Sequence, residues 1–254
     1  MNTIGDISEK IKNAKTLDFG IIFNETIELF KKVWLQGLIM LLINMALMVP
    51  FVILVYLPLI TLGIIDPEAM DNPDSAIIFL APFIIFMIFF MCVAMTVTFA
   101  LKAAFYRICK LKDLGSSNSE DYFYYLKRPY LSKAFQLAFA TIGISIIASL
   151  LCVLPMIYVV VPIYFINIIF AFNPELSTQD IIKASFELGT KKWLISFGLI
   201  IISGFLAEIV GFMLCIVGIF FTASFAYLPL YIVYKKVVGF EGRDSFEEIK
   251  QIGQ

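Results

Sequence analysis

Three stretches of this chain are too long and too free of charge to fold as anything but membrane-spanning segments. Val33–Ile65 has no charged side chain, Ala134–Pro174 runs 41 residues without one, and Trp193–Tyr234 runs 42 with Glu208 alone. A helix rises ~1.5 Å per residue and the hydrocarbon core of a bilayer is ~30 Å thick, so ~20 residues make one crossing. The two longer stretches each predict a pair of spans joined by a tight turn, near Cys152–Pro155 in the first case. Val33–Ile65 predicts one span with an irregular or interfacial extension, broken at Pro50 and Pro58. A further apolar run, Ile77–Leu101, returns after a loop that carries Asp66, Glu68, Asp71 and Asp74 and no basic residue.

The expected fold is therefore all-α and polytopic, six transmembrane helices in a single integral membrane domain over 1–254. The spans fall at about 34–55, 77–101, 134–152, 155–173, 193–210 and 215–234. Composition agrees: 61% of residues are hydrophobic, 15% are charged, and mean hydropathy is +0.93, where a soluble domain carries ~25% charge. The basic residues test the count independently. All 19 lysines and arginines lie in residues 1–32, 102–133, 174–192 and 235–254, on one side of a six-span arrangement. The positive-inside rule makes that side cytoplasmic, with both termini there. The tail at 1–16 reads as polar and mobile, without the continuous apolar core of a signal peptide, and 239–254 reads as a second cytoplasmic tail.

A polar helix with an apolar face is expected before each hairpin. Asp18 can cap one whose face is Phe23, Ile27, Phe30 and Trp34, and Ser119 can cap one carrying Phe123 and Leu126. Ser177 with Asp180 forms a capping box ahead of Ile181, Ala184 and Leu188. Each is followed by a basic pair and an aromatic: Lys31-Lys32-Val33-Trp34, Lys127-Arg128-Pro129-Tyr130 and Lys191-Lys192-Trp193. Ammonium groups and indoles favour the headgroup layer, so these marks predict inner interfaces and three helix-hairpin units. Asp18-Phe19-Gly20 running into Ile27-Glu28-Leu29-Phe30-Lys31-Lys32, with the capped segment Ser177–Trp193, resembles a broad, poorly characterised group of bacterial inner-membrane proteins. That group includes the membrane domain accompanying some glycerophosphoryl diester phosphodiesterases. No catalytic motif is part of the likeness, so it implies fold and a bacterial plasma-membrane location alone.

Catalytic residue types are scarce. The chain has no histidine, which removes the commonest metal ligand and general base. Cys92, Cys109, Cys152 and Cys215 lack any paired spacing and read as small hydrophobes, and Glu247-Glu248 reads as solvated tail. No enzyme activity and no cofactor are expected. Basic residues 102–133 set topology, with attraction to anionic headgroups as the further possibility.

Polar groups inside the spans are the candidate site residues: Asn44, Asn167 and Glu208. Both asparagines fall near mid-bilayer, where they must face protein, a partner or a cavity. Glu208 stands 15 residues beyond Trp193, ~22 Å along a helix, towards the outer edge of the core. Thr141-Ser145-Ser149 and Ser203-Ala207-Gly211 place small residues at every fourth position, faces on which spans can approach closely. Two function classes follow. The sequence favours a non-enzymatic scaffold or anchor that organises membrane lipids or a partner protein, self-association included, with no nucleic acid. The alternative is a transporter or lipid-handling protein with a polar cavity between hairpins.

Overall fold

In hydrocarbon every main-chain N–H and C=O must be satisfied within the chain, and a helix does so residue by residue. A computed structural model describes residues 3–65, 73–115, 120–151, 153–214 and 217–240, and among them every regular element is helical. The order is α1 (Ile4–Lys12), α2 (Phe19–Ile65), α3 (Pro73–Asp113), a 3-10 turn (Tyr124–Leu126), α4 (Arg128–Leu151), α5 (Val153–Phe172), α6 (Thr178–Lys191) and α7 (Trp193–Met213). Then come α8 (Val217–Thr222), a 3-10 segment (Ala223–Tyr227) and α9 (Leu228–Val237). Among the described residues five helices are long and apolar enough to cross a membrane, within α2, α3, α4, α5 and α7, which makes this an all-helical multi-pass protein.

The expected sixth span, 215–234, is not one helix. Its described part changes from α to 3-10 to α, and Pro229 sits in the first turn of α9, where its missing N–H costs nothing. Two other boundaries are corrected. The polar helix begun at Asp18 and the span at 34–55 are one continuous helix, and it passes both Pro50 and Pro58 to reach Ile65. Membrane helices absorb prolines in this way because neighbouring groups take up the freed carbonyls. At 47 residues, or ~70 Å, α2 exceeds the core and projects beyond it. The span at 77–101 likewise continues, to Asp113.

The middle polar helix is also corrected: the described part of that segment holds a single 3-10 turn, Tyr124–Leu126. Glu120 is tied to Lys112 and Asp121 to Lys127, and a segment this short cannot offset the cost of helix nucleation. Ser119, the acidic loop at 66–72, Cys152, Cys215 and Glu247-Glu248 lie outside the described residues.

The N-terminal tail is a docked helix instead of a mobile segment. Thr3 and Asp6 close a capping box, and Ile7 and Ile11 are buried against α6. Lys191 and Lys192 both bond main chain at and just after the end of α1: exposed Lys191 donates to the carbonyl of Lys12, which the helix end leaves without an intrahelical partner, and buried Lys192 donates to that of Lys15 at 2.6 Å. Burial, with Lys191 beside it, holds the Lys192 ammonium below the ordinary lysine range.

α6 is capped as its sequence indicates, although Asp180 accepts from the Ser177 hydroxyl, at 2.6 Å, and not from its main chain. Ile181, Ala184 and Leu188 are fully buried. They lie against α5, where Gly189 is required: a Cβ there would stand 2.9 Å from the Pro162 backbone. Pro162 has no N–H for the carbonyl of Tyr158, four residues earlier. The indole of Trp193 donates to that carbonyl at 3.0 Å. The carbonyl that Pro162 leaves free in α5 is thus satisfied from the start of α7.

Of the two small-residue stripes, Ser203-Ala207-Gly211 is buried, and a Cβ at Gly211 would stand 2.7 Å from Ile219 Cα of α8. The hydroxyls of Thr141, Ser145 and Ser149 instead donate back to carbonyls one turn earlier, and Ser149 is exposed.

Candidate functional site

An ammonium group in the middle of an apolar helix face is the feature from which the site is built. Lys102 of α3 follows a run of 27 uncharged residues, Ser75–Leu101, and α3 carries it inward, past the core residues Ala100 and Leu101. Its Nζ lies 4.6 Å from the ring centre of Tyr227, in the 3-10 segment that interrupts the last hairpin. Among the described residues no carboxylate pairs with it. A cation over an aromatic face in a low-dielectric surround gains ~2 kcal/mol or more, which offsets only part of the cost of leaving water. The remainder is available to an anion.

Lys102 lines two adjoining spaces. The smaller, of about 120 Å³, is bounded by Phe99, Tyr106, Thr141, Tyr164, Asn167 and Tyr227. The larger, of about 510 Å³, lies between α3 and α4, from Met87 and Met91 down to Thr98, Phe99 and Thr141. Phe99, Lys102 and Thr141 are common to both, so a mostly apolar cleft and a more polar inner space adjoin at these side chains. From Met87 to Lys102 is 15 residues of helix, ~22 Å, most of the thickness of a hydrocarbon core.

Asn167 gives the inner end its second polar group. Its Nδ2 donates to the carbonyl of Phe99 at 2.8 Å, which fixes the amide across the α3–α5 contact. The residue is 93% buried, from its 7% exposure, and its Oδ1 has no hydrogen-bond partner. A buried acceptor left unpaired costs ~1–3 kcal/mol. Tyr106, Tyr164 and Tyr227 line the same space as Lys102, and their hydroxyls bond no other described residue.

The three residues singled out from the sequence are thus separated. Asn167 lines the cleft. Asn44 is one side chain removed: it accepts from Thr98 Oγ1 at 3.1 Å, an interhelical bond between α2 and α3, and Thr98 lines the larger space. Glu208 is exposed on α7 and lines neither. Sequence reasoning missed Lys102 because it stands at the end of an uncharged run, where a lysine reads as a mark of topology. The available signal was the helical spacing of Phe99, Lys102 and Tyr106, which puts an aromatic on either side of the cation on one face. No protein-family model, curated protein or solved structure matches the chain.

Proposed function

We propose that this protein handles lipids: it takes a membrane amphiphile into the cleft between α3 and α4, with the polar head at Lys102. The observation that carries this reading is an ammonium with no carboxylate partner among the described residues, at the inner end of an apolar cleft of about 510 Å³. A closed, dry bundle would instead have favoured a scaffold. The reading has no catalytic step and no cofactor. Its partners are membrane lipids.

The setting we propose is a bacterial plasma membrane with both termini cytoplasmic. Six crossings form three hairpins, the last crossing made jointly by α8, the 3-10 segment and α9. Broken helices of this kind leave polar backbone at a cavity wall, as at the sites of many carriers, and Tyr227 stands at this break. The basic residues all fall on one side of that topology, as positive-inside orientation requires.

Co-purification from native membranes tests the reading, with Ala94→Trp as the variant that fills the cleft. Wild-type protein is expected to retain a stoichiometric amphiphile through extensive detergent washing, and the variant to lose it. Retention of a partner protein with no lipid would favour the scaffold.

A further inference from the structure

Resting on the lipid-handling reading, we infer that the inner end of the cleft selects a singly anionic phosphodiester headgroup that carries a free hydroxyl. Three features set the chemistry. The single cation, Lys102, has no carboxylate partner among the described residues, so a head with one negative charge neutralises it. The Oδ1 of Asn167, buried and unpartnered, accepts and cannot donate, so the ligand brings an N–H or O–H donor. The hydroxyls of Tyr106, Tyr164 and Tyr227 are donors for the remaining phosphate oxygens.

An ammonium head would also donate to Oδ1, but it would stand in a space of about 120 Å³ with the Lys102 cation. Two like charges confined to so small a space repel strongly at the effective dielectric of a protein. A hydroxyl carries no such penalty. The space equals roughly four water volumes, enough for a polyol fragment the size of glycerol. A free phosphate ester would satisfy the polar end and leave the apolar body of the cleft unfilled, so the ligand is a lipid.

The test is native mass spectrometry of delipidated full-length protein titrated with phosphatidylglycerol, phosphatidylethanolamine, phosphatidylcholine and sn-glycerol 3-phosphate. Wild type and Lys102→Arg are expected to bind phosphatidylglycerol about tenfold or more tightly than the two zwitterionic lipids, the equivalent of one charge-assisted hydrogen bond. Lys102→Gln removes the cation, and Asn167→Asp neutralises it from within. Each is expected to bring the three lipids within about twofold of one another. Thermal melting of each variant shows whether it is folded, and Asn167→Asp carries the test if Lys102→Gln is not.

Equal binding of phosphatidylethanolamine and phosphatidylglycerol by wild type, or a preference that survives both substitutions, would overturn the headgroup assignment. Displacement of bound lipid by equimolar sn-glycerol 3-phosphate would transfer the site to a soluble ester and overturn it too. Ala94→Trp separates this from the underlying reading. If that variant binds every lipid as wild type does, the cleft holds no lipid and the lipid-handling reading fails. If it binds none while wild type binds all equally, only the headgroup assignment fails.

Discussion

The two ends of this helical bundle are built from the same apolar residue types and are packed in different ways. Towards the basic end, α5 buries Val161, Phe165, Ile166, Ile168, Ile169 and Phe170 completely. Towards the other end the same helix exposes Leu154 at 78%, and α7 exposes Met213 at 76%. The basic end also holds the directional contacts: Tyr125 donating to the carbonyl of Ala171, Asn173 to the Tyr234 hydroxyl at 2.7 Å, and Lys235 to Asp113 at 2.5 Å. In a membrane, apolar burial between helices gains little over contact with lipid, so polar bonds and close packing decide where a bundle is tight. The difference places the protein's own core at the basic end and leaves the far end to lipid. The cleft spans the two, its mouth among exposed methionines and its floor at Lys102.

Substitutions graded along that axis can break this comparison. Leu188→Asp should have the largest effect, because it buries a charge with no partner against α5; a loss of more than ~3 kcal/mol, seen as collapse of folded yield, is expected. Lys183→Asp, one turn away and exposed, should leave the yield unchanged. Ile11→Ala should cost ~2 kcal/mol and free α1 from α6, read out as a new protease cut near residue 12. Equal sensitivity at Lys183 and Leu188 would mean that α6 does not pack as described.

Trp193→Phe should cost ~1–2 kcal/mol by leaving the Tyr158 carbonyl unsatisfied. The same change in a Pro162→Ala background should cost much less, since alanine returns the missing N–H to that carbonyl. A double-mutant cycle on melting temperature measures the coupling, and additive effects would remove the link between Pro162 of α5 and Trp193 of α7.

A smaller effect is expected where the basic end meets water. The hydrogen bond from Lys127 and the main-chain N–H of Phe123 hold the Asp121 carboxyl below its usual range, with burial opposing them. A folded-state value below the unfolded one contributes stability above pH ~4, and that contribution is lost as pH falls through the depressed value. Both side chains are partly exposed, so Asp121→Asn should cost under ~1 kcal/mol at pH 7 and progressively less as pH falls below ~4. Leu154→Ala, at the far end, should shift the melting temperature least of all.

Charge-free length and basic segregation were enough to read a helical, multi-pass protein from the sequence, because both follow from the cost of charge in hydrocarbon. The cap at Ser177 and the buried face of Ile181, Ala184 and Leu188 were legible for the same reason that they are in soluble helices: the surrounding residues are polar. Around α2 the pattern failed. The fully buried stripe is Ile22, Thr26, Leu29 and Val33, while Phe23 and Phe30 lie beside it on Phe225, and no sequence contrast separates the two. The Ile22 stripe and the Phe23 stripe repeat at helical spacing one position apart, so spacing alone does not say which of them is buried deepest. That Lys191 and Lys192 bond main-chain carbonyls was not legible, because no sequence pattern marks such partners. Only Asn167 among the site residues was visible. Lys102 acquires its meaning from Tyr227, 125 positions away and on a broken helix.

Among the described residues, the apolar cleft between α3 and α4 ends on a cation, Lys102. The most direct measurement is photo-cross-linking in liposomes with phosphatidylglycerol bearing a diazirine in its acyl chain, followed by peptide mapping. The account predicts labelling concentrated on Met87–Thr98 of α3, reduced about tenfold by Lys102→Gln, while α7 from Phe205 to Met213 labels weakly and equally in both proteins. Equal labelling of the two helices, unchanged by Lys102→Gln, would contradict it.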